Sequence, residues 1–167
     1  MYSPFNIKKE FVKIAGRIGE MVTVFDEKGN IVQKLINPLM IEFRPRDVMQ
    51  VMVGAALLAI PVAFTEETWR LGETLPVENI GGIAALSFLF ISSFVYYNYY
   101  RGALREHWFD FAKRVFSTYL FSMLIVAVIL TLIERASWTM EPALALKRVI
   151  LVSFPASMSA AIADTIK

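Results

Sequence analysis

Two glutamates, Glu66 and Glu67, follow directly on a run of eighteen uncharged residues, Val48–Thr65. An acid at the edge of such a run is costly to bury without water or a partner, so it marks a candidate site. Neighbouring positions on a helix lie about 100° apart. One of the pair can therefore face a central axis while the other meets a neighbour. Pro61, just upstream, removes a helix hydrogen bond and can kink the chain, freeing a carbonyl for other partners. In a symmetric homo-oligomer, one such glutamate per subunit makes a ring of carboxylates, which selects cations. Hard oxygen ligands favour Ca²⁺ or Mg²⁺ over softer metals, so Glu66 and Glu67 are also the candidate metal ligands. Ca²⁺ or another permeant cation would then be the cargo, with no resident cofactor. The competing reading is an ordinary surface, because Glu66 stands four residues before Arg70, the spacing of a helix ion pair.

Asp164 is the second candidate. It ends the run FPASMSAAIAD, in which Pro155 offers another kink and Ala156, Ala160 and Asp164 share a face at four-residue spacing. Small residues at that spacing favour close helix–helix packing, with Asp164 emerging at a membrane boundary. The functional alternative has this helix line a path, with Asp164 at its inner mouth. Glu141, between Trp138 and Pro142, is placed to cap a helix start or to form a second acidic ring. Cysteine is absent, so disulfides and thiolate metal sites are excluded, and His107, the sole histidine, gives little basis for a histidine metal site. Asp110 and Arg114 have the spacing of a surface pair. No P-loop, Gly-rich dinucleotide turn or G-x-S-x-G occurs, so no enzyme is expected.

These residues hang on four apolar segments. Val48–Thr65, Ile80–Tyr100 and Val115–Ile133 are uncharged and long enough to cross a bilayer core of roughly 30 Å. Val149–Ala163 is shorter; either its ends snorkel or the helix starts near Pro142 and carries Lys147 and Arg148 into the interface. The expected spans are thus about 48–65, 80–100, 115–133 and 146–164. With 56% hydrophobic residues, the 167-residue chain exceeds the roughly 45–50% of soluble domains. Its net charge of +2 gives no reason to expect nucleic acid. The expected partners are the lipid bilayer, inorganic cations and further copies of the chain.

Residues 1–46 read as a cytosolic piece ahead of a membrane domain over 47–167. Ile7, Phe11, Ile14 and Ile18 have helical spacing among lysines, which fits a basic amphipathic helix, either on a lipid surface or packed on a neighbour. VTVF, DEKGN and IVQKLI then predict a β-hairpin, with Gly29 and Asn30 at positive φ, and LMIEF (39–43) a third short strand. No cleavable signal is expected at the start. The connection 66–79 holds four glutamates and one arginine, whereas 101–114 holds Arg101, Arg105, Lys113 and Arg114. The positive-inside rule therefore puts both termini in the cytoplasm and the glutamates outside, in a multi-pass plasma (inner) membrane protein. Tyr96, Tyr97, Tyr99, Tyr100, Trp108 and Phe109 fit an aromatic belt at the inner boundary.

PRDVMQVMVGAALLAIPVAFTEETW and FPASMSAAIADT resemble an uncharacterised prokaryotic family of integral membrane proteins, most distinctively in PRD-x-x-Q and FTEE-x-W. That resemblance implies the topology and no activity. Separately, Thr65-Glu66-Glu67-Thr68-Trp69 is similar over five residues to the T-x-E-S-W filter of bacterial voltage-gated sodium channels. It implies Glu67 as a filter glutamate and Thr65 as a filter threonine, although here the motif directly ends a span. SWTMEP resembles the W-D-x-x-E-P signature of calcium uniporters with one residue and the aspartate missing. The expectation is an all-α membrane protein of four transmembrane helices with a small N-terminal helix and β-hairpin. Its leading function is a homo-oligomeric cation channel. The alternatives are a small proton- or cation-coupled secondary transporter, with Asp164 acting at the far face from Glu66 and Glu67, and a non-transporting scaffold or sensor.

Overall fold

The computed structural model describes residues 6–14, 17–26, 29–38, 45–101, 104–105 and 107–166. It divides into two compact units, Met1–Glu42 and Phe43–Lys167.

The first unit is a three-stranded antiparallel meander: β1 (Asn6–Ile14), β2 (Arg17–Phe25) and β3 (Ile31–Pro38). This corrects the amphipathic helix expected over the first twenty residues. A four-residue spacing such as Ile7–Phe11 fits both the 3.6 period of a helix and the two-residue period of a strand, so it does not discriminate. Gly16 and Gly19 weaken any helix there, and β2 supplies a partner, with Ile7 opposite Val24 and Lys9 opposite Val22. Lys8 Nζ lies 2.6 Å from Glu10 Oε1, an i,i+2 pair that a strand brings together and a helix does not. That pair raises the Lys8 ammonium and lowers the Glu10 carboxyl from their ordinary values, each held by hydrogen bonding to the other. The β2–β3 hairpin forms as expected. Of the two residues expected at positive φ, only Gly29 takes it, at 80°, and the Asn30 N–H donates to Asp26 Oδ1 at 3.1 Å. The third strand expected at 39–43 lies outside the described residues.

The second unit contains α1 (Pro45–Ala63), α2 (Glu66–Thr74), α3 (Val77–Val95, continued by a π-helical turn Tyr96–Tyr100), α4 (Trp108–Leu132) and α5 (Pro142–Thr165). Four of these are long and apolar enough to span a membrane, with α3 counted through Tyr100. The fourth span starts at Pro142, so Lys147 and Arg148 lie inside its first two turns. Large side chains such as Val53, Leu57, Leu89, Phe116, Leu124 and Val128 are exposed, as a lipid-facing surface requires. The contact between α1 and α5 is built from smaller residues.

Helix α5 packs against all four other helices. Its buried Val149, Val152, Ala156 and Ala160 form one cluster with Val51, Ala55, Ala59 and Ala63, which recur every four residues along α1. Small side chains let the two backbones approach closely. At Gly54 a Cβ would fall 2.5 Å from the Ala163 Cβ and 2.9 Å from the Ala160 Cα, so only glycine fits. Val126 and Leu130 of α4 fill the rest of that cluster. Among the described residues, this cluster fills the space between α1, α4 and α5.

Candidate functional site

At one end of the bundle, charges from three helices converge. Asp47 stands in the first turn of α1, Arg114 near the start of α4 and Asp164 in the last turn of α5. All three are buried: Arg114 is 0%, Asp164 1% and Asp47 3% exposed. Arg114 Nε donates to Asp164 Oδ2 at 2.8 Å, and Nη2 lies 2.8 Å from the same oxygen and 3.7 Å from Asp47 Oδ2. The guanidinium carbon sits 3.8 Å from the centre of the Tyr99 ring, a cation–π contact that shields the charge on one face. Two carboxylates and an aromatic face therefore surround one guanidinium where α1, α3, α4 and α5 meet. Its planar, weakly hydrated cation suits such a buried position better than an ammonium would.

The same residues pin the end of α5. The last turn of a helix leaves carbonyls without intrahelical donors. Tyr99 OH donates to the Asp164 carbonyl at 2.8 Å, and Gln50 Nε2 donates to the Ile166 carbonyl at 2.7 Å. Gln50 of PRD-x-x-Q thus acts directly on the terminus of α5, and Asp47 of the same motif reaches it through Arg114. The π-helical turn lets this happen. Its wider winding sets Tyr99 against Arg114 and buries Tyr100 edge-on to Phe111, with ring centres 5.4 Å apart, while Tyr96 and Tyr97 stay exposed. Of the expected aromatic belt, Tyr96, Tyr97, Trp108 and Phe109 are exposed, whereas Tyr99 and Tyr100 face inward.

Glu66 and Glu67 lie at the other end, separated from Asp47 by the length of α1, about 28 Å at 1.5 Å per residue. They do not prolong the span. They open a separate short helix, α2, where acidic side chains favour the helix dipole. Both are exposed, and among the described residues neither is ion-paired, so the Glu66–Arg70 pair of the competing reading does not form. Thr65 Oγ1 donates to the Val62 carbonyl at 2.7 Å, and Trp69 Nε1 donates to the Ala63 carbonyl at 2.7 Å. The spacing of Thr65 and Trp69 thus satisfies two terminal carbonyls of α1. Arg135 stacks on the Trp69 ring at 3.8 Å.

Pro61 lies inside α1 two residues before its end, and Pro155 lies inside α5. Glu141 occupies the N-cap position of α5, but its side chain makes no capping bond. It borders an open cleft of about 530 Å³ with Glu73 and Lys147. Lys147 donates to the Leu75 carbonyl at 2.8 Å. Arg148 Nη2 lies 2.6 Å from Glu73 Oε1 and Nη1 donates to the Arg135 carbonyl at 2.8 Å. The two cations that run against the positive-inside pattern are therefore engaged with the glutamate-rich connection. Among the described residues, no three histidines, aspartates or glutamates of one chain converge to hold a metal ion.

Sequence reasoning found Asp164 but missed its partners. Arg114 is a buried cation bonded to Asp164, in place of the surface pair expected with Asp110, whose carboxylate lies 3.6 Å from His107 Nδ1. A signal was present. Asp47, Arg114 and Asp164 each abut an uncharged run, and an up–down arrangement of four spans brings all three to one end.

The fold and this cluster define an integral membrane protein, a bundle of four apolar helices closed at one end by buried charges. The chain belongs to the DUF2391 family, described as "Putative integral membrane protein", whose model matches residues 26–166. No curated protein and no solved structure matches it.

Proposed function

We propose that the protein is a small proton- or cation-coupled secondary transporter whose coupling site is the Asp47–Arg114–Asp164 cluster. The observation that carries this reading is the complete burial of three charges at the junction of four spans. Ionisable groups in such positions are expensive and mark ion pathways and proton relays. A proton or small cation arriving at Asp164 competes with Arg114 for the same carboxylate oxygen. Losing that bond loosens α4 from the end of α5. Pro155 supplies the hinge: it has no N–H for the Leu151 carbonyl, so the half of α5 carrying Asp164 can tilt against the half fixed by Lys147 and Arg148. Both termini and the cluster would face the cytoplasm of a plasma (inner) membrane, by the lysine and arginine bias of the connections.

A second reading is favoured by a different observation, the exposure of Glu66 and Glu67 side by side on α2. In a homo-oligomer these could ring an outer mouth and select cations, Ca²⁺ among them. Because the single bundle is filled by Val51, Val126, Leu130, Val149 and Val152, that pore would have to run between subunits. Flux of Na⁺, K⁺ and Ca²⁺ into proteoliposomes under an imposed pH gradient separates the readings. Slow uptake that stops when an ionophore collapses the gradient, unchanged in Glu66→Gln and Glu67→Gln, is expected of the transporter. Fast uptake independent of the gradient, with selectivity altered by either glutamine, would replace it with the channel. No flux by folded, inserted protein would leave a scaffold or sensor.

A further inference from the structure

A lateral cleft of about 550 Å³ opens between α3 and α5, lined by Phe90, Phe94, Tyr97 and Asn98 on one side and Met158 and Ile162 on the other. Both walls belong to helices long and apolar enough to span a membrane, surroundings in which lipid chains would reach the cleft. Its lining changes character along α3. Phe90 and Phe94 are apolar, Tyr97 and Asn98 offer a hydroxyl and an amide, and Arg101 follows at the end of the helix. Arg101 is exposed and tied to the cleft wall: Nη1 donates to the Tyr97 hydroxyl at 3.3 Å, and the guanidinium lies 5.1 Å from the centre of that ring. Arg101 lies eleven positions beyond Phe90, at most about 16 Å of helix at 1.5 Å per residue. Apolar depth, polar rim and cation thus succeed one another from the membrane interior to its surface. That is the order of acyl chain, glycerol ester and phosphate in a phospholipid.

We propose that this cleft is a binding site for one anionic phospholipid, its chain between α3 and α5 and its phosphate on Arg101. The cation sets the preference for an anionic headgroup, since a basic side chain at an anionic membrane surface is favoured over one at a neutral surface. The π-helical turn forms part of the wall through Tyr97 and Asn98 and also carries Tyr99, which touches Arg114 and Asp164, so the bound lipid would sit one turn from the charge cluster. The site does not depend on the transporter reading.

Native mass spectrometry of the protein in micelles doped with equal amounts of phosphatidylglycerol and phosphatidylcholine tests it. The expected spectrum is a monomer or oligomer retaining one lipid per chain, with phosphatidylglycerol favoured about fivefold. Arg101→Gln should keep the lipid and lose the preference, and Ser93→Trp, which fills the cleft from α3, should lose both lipids. Equal retention of the two lipids by the unmodified protein, undiminished preference in Arg101→Gln, or a dimer with no retained lipid would overturn the proposal. Arg101 is exposed, so its substitution leaves the packed interior alone and decides the matter even where the tryptophan variant does not fold.

Discussion

Arg114 is the residue on which the charged end of the bundle depends. Its guanidinium is fully buried, and its bonds to Asp164 at 2.8 Å offset a desolvation cost that neither charge could meet alone. Removing one partner strands the other in a low-dielectric interior. Arg114→Met should therefore cost about 3–5 kcal/mol of stability, and Asp164→Asn should cost less because the amide still accepts a hydrogen bond. Unfolding in detergent, followed by fluorescence of the tryptophans, measures both. Equal, small losses would mean that the cluster is solvated. At the other end, Trp69→Phe keeps a ring for Arg135 and removes the donor to the Ala63 carbonyl, with an expected loss of about 1 kcal/mol in the same assay.

At the scale of elements, the α1–α5 contact is the tightest constraint on the helices. Gly54→Leu would drive atoms into Ala160 and Ala163, and we expect about 1–3 kcal/mol of destabilisation or a separation of the two helices. Gly82→Ala is the matched control, since a Cβ there meets nothing within 4 Å, and should be neutral or mildly stabilising by the same unfolding measurement. The four spans were legible in the sequence because a bilayer demands long uncharged runs and tolerates little else. The Gly29 hairpin was legible because its turn needs positive φ. The first strand was not, because Ile7 and Phe11 sit at a spacing common to both periodicities and the deciding information is the pairing with β2. Asp164 could be marked from its position alone. Its bond to Arg114, fifty residues away, could not, because helix ends reveal their partners only once the helices are packed.

For the molecule as a whole, the two ends of the bundle have different chemistries. One end buries Asp47, Arg114 and Asp164; the other exposes Glu66 and Glu67 and ties Lys147 and Arg148 to the connection after α2. The absence of cysteine makes sidedness easy to read, because a single introduced thiol is the only one to label. With a membrane-impermeant maleimide on intact cells, Glu67→Cys should react from outside and Arg105→Cys only after lysis. The reverse pattern would invert the orientation. The most direct test of the central claim is the initial rate of cation uptake driven by a pH gradient in proteoliposomes, comparing the unmodified protein with Asp164→Asn. Abolished coupled uptake in a variant that remains folded and inserted is the predicted result. Uptake at the unmodified rate, with the same dependence on the gradient, would contradict a coupling role for the buried cluster.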